Sequence, residues 1–164
     1  MTGLVALAAL MVGGRAVQDA VPPPPPTVRV ADDICAIMLD VRAQVSDGQG
    51  KPVAGAELRA QDQSLESDDW HLVGTSDATG RVQRQFCYQS ASVYIKRPPS
   101  GAVTLRFRIT RGSGSTLEFQ EQVQASRLVR DGLLVKRQGG GVVPDKAALK
   151  GKAYRVSLRA SLRE

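Results

Sequence analysis

Residues 103–123 read VTLRFRITRGSGSTLEFQEQV, and apolar and polar side chains alternate on both sides of the Gly-Ser-Gly at 112–114. Alternation with a period of two places successive side chains on opposite faces of a β-strand, so the stretch predicts an antiparallel hairpin. A three-residue loop sets the register and leaves Glu121 opposite Leu105. The predicted facing pairs are Phe107 with Phe119, Ile109 with Leu117, and Arg108 with Glu118.

The same alternation runs through much of the chain. In residues 37–45 apolar side chains alternate with Met38, Asp40, Arg42 and Gln44, which predicts a strand with one buried face. We expect further strands at 52–60, 70–75, 81–88, 92–96 and 154–161, a small hairpin at 127–137 and helical turns at 144–150. About seven to nine short strands separated by turns are typical of an antiparallel β-sandwich, the all-β fold class that we expect.

The N-terminal residues have the composition of an export signal. An apolar run at Leu4–Val12 is too short to span a bilayer, which needs about 20 residues. Small residues at Gly14 and Ala16 are spaced as signal peptidase requires, so residues 1–16 are expected to be a signal peptide of a secreted or periplasmic protein. No Lys or Arg precedes the run, and the alternative is an apolar helix packed on the domain. A proline-rich linker at 17–31 then leads to a β-sandwich domain at 32–164.

The sequence contains two cysteines, Cys35 and Cys87. In an oxidising compartment a bridge between them closes a loop of about 50 residues and adds about 4 kcal/mol of stability by the chain-entropy estimate. In a reducing compartment both are buried thiols. A bridge requires their Cα atoms to lie within about 7 Å, on facing or adjacent strands.

Positive charge is concentrated at the C-terminal end. Residues 1–124 contain 12 Lys and Arg against 13 Asp and Glu, whereas residues 125–164 contain 10 against 3. Such a basic region attracts acidic partners, and we expect it to contact a protein or an acidic polysaccharide surface. Its single aromatic, Tyr154, provides little for nucleic-acid bases to stack on. The alternative is that acidic residues at 57–77 neutralise these cations. The predicted binding residues are Arg127, Arg130, Lys136, Arg137, Arg155 and Arg159.

Two turn motifs carry a family resemblance. Residues 45–56 read VSDGQGKPVAGA and residues 75–81 read TSDATGR. The stretch 39–97 resembles the carboxypeptidase regulatory-like and collagen-binding B-type domains, which implies a transthyretin-like β-sandwich. In these turns Pro52 fixes φ, and Gly50 and Gly80 adopt conformations that a Cβ disfavours.

The resemblance also allows known enzyme sites of this fold to be compared with the sequence. Hydroxyisourate hydrolases of the fold use more than one histidine, and its intradiol dioxygenases bind iron with two histidines and two tyrosines. This sequence has one histidine, His71. We therefore expect a non-catalytic domain with a structural or binding role, with no cofactor and no bound metal.

Two alternative functions stay open. One is a small hydrolase centred on His71, which would act as a base beside Asp68 and Asp69, with Ser64 or Ser67 nearby. The other is a cytoplasmic β-domain that binds nucleic acid through its basic region.

Overall fold

The computed structural model describes residues 34–61, 63 and 69–163. The predicted signal peptide at 1–16 and the predicted linker at 17–31 lie outside these residues. Within the described ranges no helix is long and apolar enough to cross a membrane. The elements are β1 (Cys35–Asp47), β2 (Glu57–Gln61), β3 (Trp70–Thr75), β4 (Arg81–Ser90), α1 (Ala91–Lys96), β5 (Ala102–Arg111), β6 (Ser115–Gln124), α2 (Ala125–Gly132), β7 (Val135–Gln138), β8 (Gly141–Pro144), a 3-10 turn (Ala148–Lys150) and β9 (Tyr154–Leu162).

Two sheets form the body of the domain. One has the strand order β4-β1-β9 and the other the order β3-β2-β5-β6, while β7 and β8 form a separate hairpin. Neighbouring strands are antiparallel, apart from β1 and β9, which run parallel. The predicted antiparallel β-sandwich is confirmed.

The core lies between the two sheets because every second side chain of their strands is apolar. Along β1 the buried residues alternate with polar ones, and β9 repeats this pattern over its whole length. Burial of this apolar surface is the main favourable contribution to folding. The largest fully buried side chains include Leu39 and Val41 from β1, Leu58 from β2, Leu105, Phe107 and Ile109 from β5, and Val156 and Leu162 from β9.

The β5–β6 hairpin has the register predicted from its sequence. Phe107 faces Phe119, and Arg108 faces Glu118 on the outer side, where the guanidinium Nε donates to the carboxylate at 3.0 Å. Glu121 lies opposite Leu105 as expected.

Two segments predicted as strands are helical. Residues 91–96 form α1 rather than a strand, because the Ser90 hydroxyl accepts a hydrogen bond from the amide of Val93 and caps a first helical turn. Residues 125–132 form α2 where a hairpin was expected. Its buried residues Ala125, Leu128 and Gly132 are spaced three and four apart, which is the period of a helix and not of a strand.

The turns after β1 and before β4 have the same hydrogen-bond pattern. In each, an aspartate carboxylate, that of Asp47 or Asp77, accepts from the backbone amides two and four residues further on, at 2.8–3.0 Å. The amide three residues on, of Gly50 or Gly80, donates to the carbonyl oxygen of the same aspartate, and both glycines have positive φ. An aspartate at the first position and a glycine at the fourth therefore fix both turns.

A disulfide joins Cys35 at the start of β1 to Cys87 in β4, with a Cα–Cα distance of 5.7 Å. The predicted pairing is confirmed. Cys35 has the parity of the buried residues of β1 but is only half-buried. The pairing of β1 with β4 shifts register between Cys35 and Met38, and this irregularity breaks the alternation.

Candidate functional site

The outer face of the β4-β1-β9 sheet carries nine side chains in three rows of three. The strand register aligns them, because β1 residues that point outward face outward residues on β4 and β9. From one end to the other the rows are Gln85, Asp40 and Arg155, then Gln83, Arg42 and Ser157, then Arg81, Gln44 and Arg159.

Two adjoining depressions cover this face. The smaller, of about 310 Å³, is lined by the rows of Arg42 and Gln44. The larger, of about 790 Å³, is lined by the row of Asp40 and by Arg42, Gln83, Arg84, Gly151 and Ala153. Arg42 and Gln83 line both. The two depressions thus form one shallow path along β1, which we call the arginine groove.

Positive charge dominates the arginine groove. Its lining contains Arg42, Arg81, Arg84, Arg155 and Arg159 and a single acidic residue, Asp40. A surface of one sign raises the local concentration of ligands of the opposite sign. The arrangement can therefore attract an anion and hydrogen-bond it through the guanidinium groups.

The charge differs between the two ends of the groove. At one end the Asp40 carboxylate accepts a hydrogen bond from Arg42 Nε at 3.0 Å and lies 3.4 Å from Arg155 Nε. At the other end Arg81 and Arg159 form no ion pair with an acidic side chain of the described residues. Between them the Gln44 amide donates to the carbonyl oxygen of Thr79 at 2.8 Å. This second end therefore has its cations available to a ligand.

The structure separates the binding residues predicted from the basic C-terminal region. Arg155 and Arg159 lie in the arginine groove, four residues apart on β9. Lys136 and Arg137 are exposed on β7, and Arg127 and Arg130 lie on α2. The Arg130 guanidinium is paired with its neighbour Asp131 at 2.8 Å, and this hydrogen-bonded pairing lowers the pKa of the Asp131 carboxyl.

Arg127 belongs to a cluster at the edge of the sandwich. Its guanidinium lies 5.7 Å from the centre of the Tyr154 ring, and the Tyr154 hydroxyl donates to the Glu121 carboxylate at 3.2 Å. Burial raises the pKa of Tyr154, and the nearby Glu121 charge raises it further. Glu121, which the hairpin register places on the inner face, thus has a hydrogen-bond donor there.

Arg42 and Arg81, which face the groove together with Arg155 and Arg159, were not among the predicted binding residues. The polar set of β1, Asp40, Arg42 and Gln44, was recognised as the outer face of a strand. The residues that lie beside this polar set depend on which strands flank β1, and the sequence does not state which strands these are. The pairing of β1 with β9, more than 100 residues apart in the chain, supplies that information.

His71 lies on the inner side of β3, opposite Ala60 of β2. Its Nε2 atom is buried and has no hydrogen-bond partner in the described part of the chain. Asp68, Ser64 and Ser67, which the hydrolase hypothesis places beside it, lie outside the described residues. Among residues 34–61, 63 and 69–163 no three His, Cys, Asp or Glu side chains are grouped as metal ligands.

Solved structures similar to this chain include dioxygenases and a transthyretin. Chlorocatechol 1,2-dioxygenase from Pseudomonas putida is 12% identical over 81% of this chain and 63% of its own, with a TM-score of 0.46. An intradiol ring-cleavage dioxygenase from Tetranychus urticae is 14% identical over 82% and 84%, with a TM-score of 0.43. Transthyretin from Sparus aurata is 14% identical over 76% and 90%, with a TM-score of 0.32.

Other comparisons add two facts. No protein-family model and no curated protein matches the chain. The chain spans 55–63% of the length of three catechol and chlorocatechol dioxygenases to which it is similar.

These similarities correct two predictions. The role was expected to be non-catalytic and the protein not to be an enzyme, and both expectations are contradicted because the similar structures include ring-cleaving dioxygenases. The expectation rested on comparing the sequence with two known enzyme sites. A missing set of residues excludes only that site, whereas one fold supports many chemistries. At identities of 12–19% the likeness is one of fold.

The iron site of intradiol dioxygenases does not fit this chain. Such a site needs two histidines and two tyrosines, and the sequence has one histidine. That histidine, His71, faces the sandwich interior next to Ala60, and the hydroxyl of Tyr154 is engaged by Glu121.

Proposed function

We propose that this protein binds an acidic polysaccharide in the arginine groove. The observation that carries the proposal is the three-row arrangement, in which Arg42, Arg81, Arg155 and Arg159 share one sheet face with a single carboxylate, that of Asp40. A rigid sheet holds these side chains at fixed spacing, which is the condition for recognising a ligand with regularly spaced groups.

The chemistry of the groove matches a ligand that carries both acid groups and hydroxyls. Guanidinium groups bind carboxylates and sulfates through paired hydrogen bonds. Between the arginines lie Gln83, Gln85 and Ser157, whose amide and hydroxyl groups both donate and accept hydrogen bonds. An acidic polysaccharide has these two kinds of group on each repeat.

The shape of the groove favours a polymer over a small molecule. Small-molecule sites are concave and enclose most of the ligand, whereas this path is shallow and runs along β1. Arg155 and Arg159 are four residues apart on β9, which corresponds to about 13 Å along a strand. A chain of linked sugars can contact both at once.

The same face lacks the features that single-stranded nucleic acid uses. Bases stack on aromatic side chains, and none of the nine side chains in the three rows is aromatic. Single-stranded DNA is therefore expected to bind this face more weakly than an acidic polysaccharide does.

We extend the proposal to the compartment and the family. A secreted or periplasmic location is supported by the signal-like residues 1–16 and by the Cys35–Cys87 disulfide. Kinship with the carboxypeptidase regulatory-like domains is supported by the matching turns at 47–50 and 77–80. Mass measurement of the protein from its native host tests the first point, since a start near Val17 identifies cleavage of the signal.

The binding proposal is tested with polygalacturonate, a uronic-acid polymer, and with neutral dextran and single-stranded DNA as comparison ligands. The full chain is titrated calorimetrically at several salt concentrations. Two double variants each remove two cations: Arg155→Gln with Arg159→Gln in the groove, and Lys136→Gln with Arg137→Gln on β7. Because both lose the same net charge, the second is a matched control for non-specific attraction.

We expect polygalacturonate binding that weakens with salt, and no binding of dextran. The groove variant is expected to lose about tenfold or more in affinity, since each hydrogen bond to a charged group contributes about 1.5–3 kcal/mol. The β7 variant is expected to lose much less. Equal losses in the two variants, or tighter binding of the DNA than of the polygalacturonate, contradict the proposal.

A further inference from the structure

Asp40 is an acidic residue in a groove that otherwise carries positive charge. Its side chain is 15% exposed, against 41% for Arg42 and 64% for Arg155, so it lies at the floor of the groove beneath the two arginines. A carboxylate in this place lowers the attraction of the groove for any anion. A purely electrostatic anion site gains nothing from it.

The two oxygens of Asp40 have different surroundings. Both Arg42 and Arg155 approach the same atom, Oδ2, with Arg42 Nη2 at 2.9 Å, Arg42 Nε at 3.0 Å and Arg155 Nε at 3.4 Å. No hydrogen bond from a described residue reaches Oδ1. The arginines therefore fix the orientation of the carboxylate and leave one of its oxygens as an acceptor that a ligand can use.

The position of this acceptor divides the groove into two parts. Asp40 lies in the row with Gln85 and Arg155, and the cationic row of Arg81 and Arg159 lies four residues away along the strands, about 13 Å. An anionic group is attracted to the Arg81–Arg159 row and repelled from Oδ1 of Asp40. A hydroxyl group has the opposite preference at Oδ1, because it donates a hydrogen bond to a charged acceptor.

We infer that Asp40 is a specificity-determining residue, whose Oδ1 accepts a hydrogen bond from a sugar hydroxyl while the Arg81–Arg159 row binds an acid group of the same polymer. The inference rests on the proposed binding of an acidic polysaccharide and names what the site selects. It selects polyanions that also carry hydroxyls and rejects those, such as inorganic polyphosphate, that present charge alone.

The test compares polygalacturonate with inorganic polyphosphate as ligands of the full chain and of Asp40→Asn. In this variant the amide oxygen takes the place of Oδ2, because the arginines donate there, and the NH₂ group replaces Oδ1. The acceptor becomes a donor and the negative charge is lost. We expect the affinity for polyphosphate to rise and the ratio of polygalacturonate to polyphosphate affinity to fall by about tenfold.

Two further variants separate charge from hydrogen bonding. Asp40→Glu keeps the charge but displaces the acceptor by one methylene, and we expect it to lose polygalacturonate affinity with no gain for polyphosphate. Glu57→Gln, which removes a carboxylate from the outer face of the other sheet, is the matched charge control and should change neither affinity. Thermal unfolding of each variant shows that the domain is folded, and Asp40→Glu keeps the test usable where Asp40→Asn does not fold.

The outcomes also distinguish this inference from the proposed function. If Asp40→Asn raises both affinities by the same factor, Asp40 acts only through its charge and the inference is wrong while polysaccharide binding stands. If Asp40→Glu binds both ligands as the wild type does, the hydrogen bond to Oδ1 is excluded. If the wild type does not bind polygalacturonate, the proposed function itself fails.

Discussion

The amide of Val45 donates to the carbonyl oxygen of Gly80 at 2.7 Å, and the carbonyl oxygen of Val45 occupies the space that a Cβ on residue 80 would take. Gly80 has φ of 74°, and Pro52 also lies close to the position that a Cβ on residue 80 would take. The end of β1 and the turn before β4 therefore meet at one point, where the backbone permits only a glycine.

Substitution at this point is expected to be far more damaging than at the equivalent glycine of the other turn. Gly50 has φ of 82°, but a Cβ on it meets no atom within 4 Å. Gly50→Ala is expected to cost about 1–2 kcal/mol, which is the cost of the left-handed conformation alone. Gly80→Ala adds a clash with backbone and is expected to cost more than about 3 kcal/mol. Urea denaturation of the two variants measures the difference, and equal losses would show that the Val45–Gly80 contact relaxes freely.

The Asp77 turn is expected to make the domain sensitive to acid. Hydrogen bonds from the Thr79 hydroxyl and from the amides of Arg81 and Thr79 hold the pKa of Asp77 below its usual value of 3.8. A carboxyl with a lowered pKa in the folded state contributes stability that is present above the unfolded pKa and is lost as the pH falls through the folded pKa.

Asp77→Asn should therefore be less stable than the wild type at pH 7, with the difference shrinking as the pH is lowered below 3.8. Unfolding free energies at pH 7, 5 and 3 test this. Asp47→Asn is the parallel case, since the amide of Lys51 is the main cause of the lowered pKa of Asp47. If the difference in unfolding free energy between the wild type and either variant is the same at all three pH values, the aspartate is not the source of the acid sensitivity.

Loss of the disulfide is expected to lower stability without altering the fold. The bridge between Cys35 and Cys87 spans a sequence separation of 52, and closing such a loop restricts the unfolded chain by about 4 kcal/mol. Cys35→Ala with Cys87→Ala should lower the free energy of unfolding by about this amount in non-reducing urea. The reduced wild type serves as the control and should unfold near the same midpoint. An unchanged midpoint in both rules out stabilisation by the bridge.

Tyr154 is expected to limit stability at alkaline pH. Its pKa lies above the usual value of 10.0, chiefly because the ring is buried and also because Glu121 is close. Such a group favours folding fully below the unfolded pKa, and this contribution is lost as the pH rises through the folded pKa.

Tyr154→Phe should therefore lose less stability than the wild type between pH 9 and the alkaline range above the usual tyrosine pKa of 10.0. At pH 7 the variant should be about 1 kcal/mol less stable, because Glu121 loses its hydroxyl donor. Urea unfolding of the wild type and of Tyr154→Phe, followed by circular dichroism at each of these pH values, gives the two free energies to compare. If the wild type and the variant lose the same stability at alkaline pH, groups other than Tyr154 cause that loss.

Local chemistry was sufficient to predict the parts of the fold that depend on neighbours in the chain. The register of Phe107 with Phe119 follows from a three-residue loop, and the Asp77–Gly80 turn follows from its residue types. The hairpin predicted at 127–137 was wrong because Asp131 and Gly132 are typical turn residues, although the buried residues of α2 have helical spacing.

The arginine groove was less accessible to such reasoning. Arg155 and Arg159 were predicted as binding residues from a local excess of charge, but their companions Arg42 and Arg81 lie in a stretch of the chain that is nearly neutral. These four arginines lie together because β4, β1 and β9 are neighbours in one sheet. The parallel pairing of β1 with β9 joins strands that are distant in the chain, and no turn motif specifies it.

The strand order β4-β1-β9 also has a consequence for the order of events during synthesis. β1 and β4 leave the ribosome early, whereas β9 follows every other described strand. Until β9 emerges, one edge of β1 has unpaired amides and carbonyls next to Leu39 and Val41, which favours aggregation. The nascent chain therefore needs protection along this edge. The row of Arg81, Gln44 and Arg159 is likewise completed only when this last strand pairs with β1.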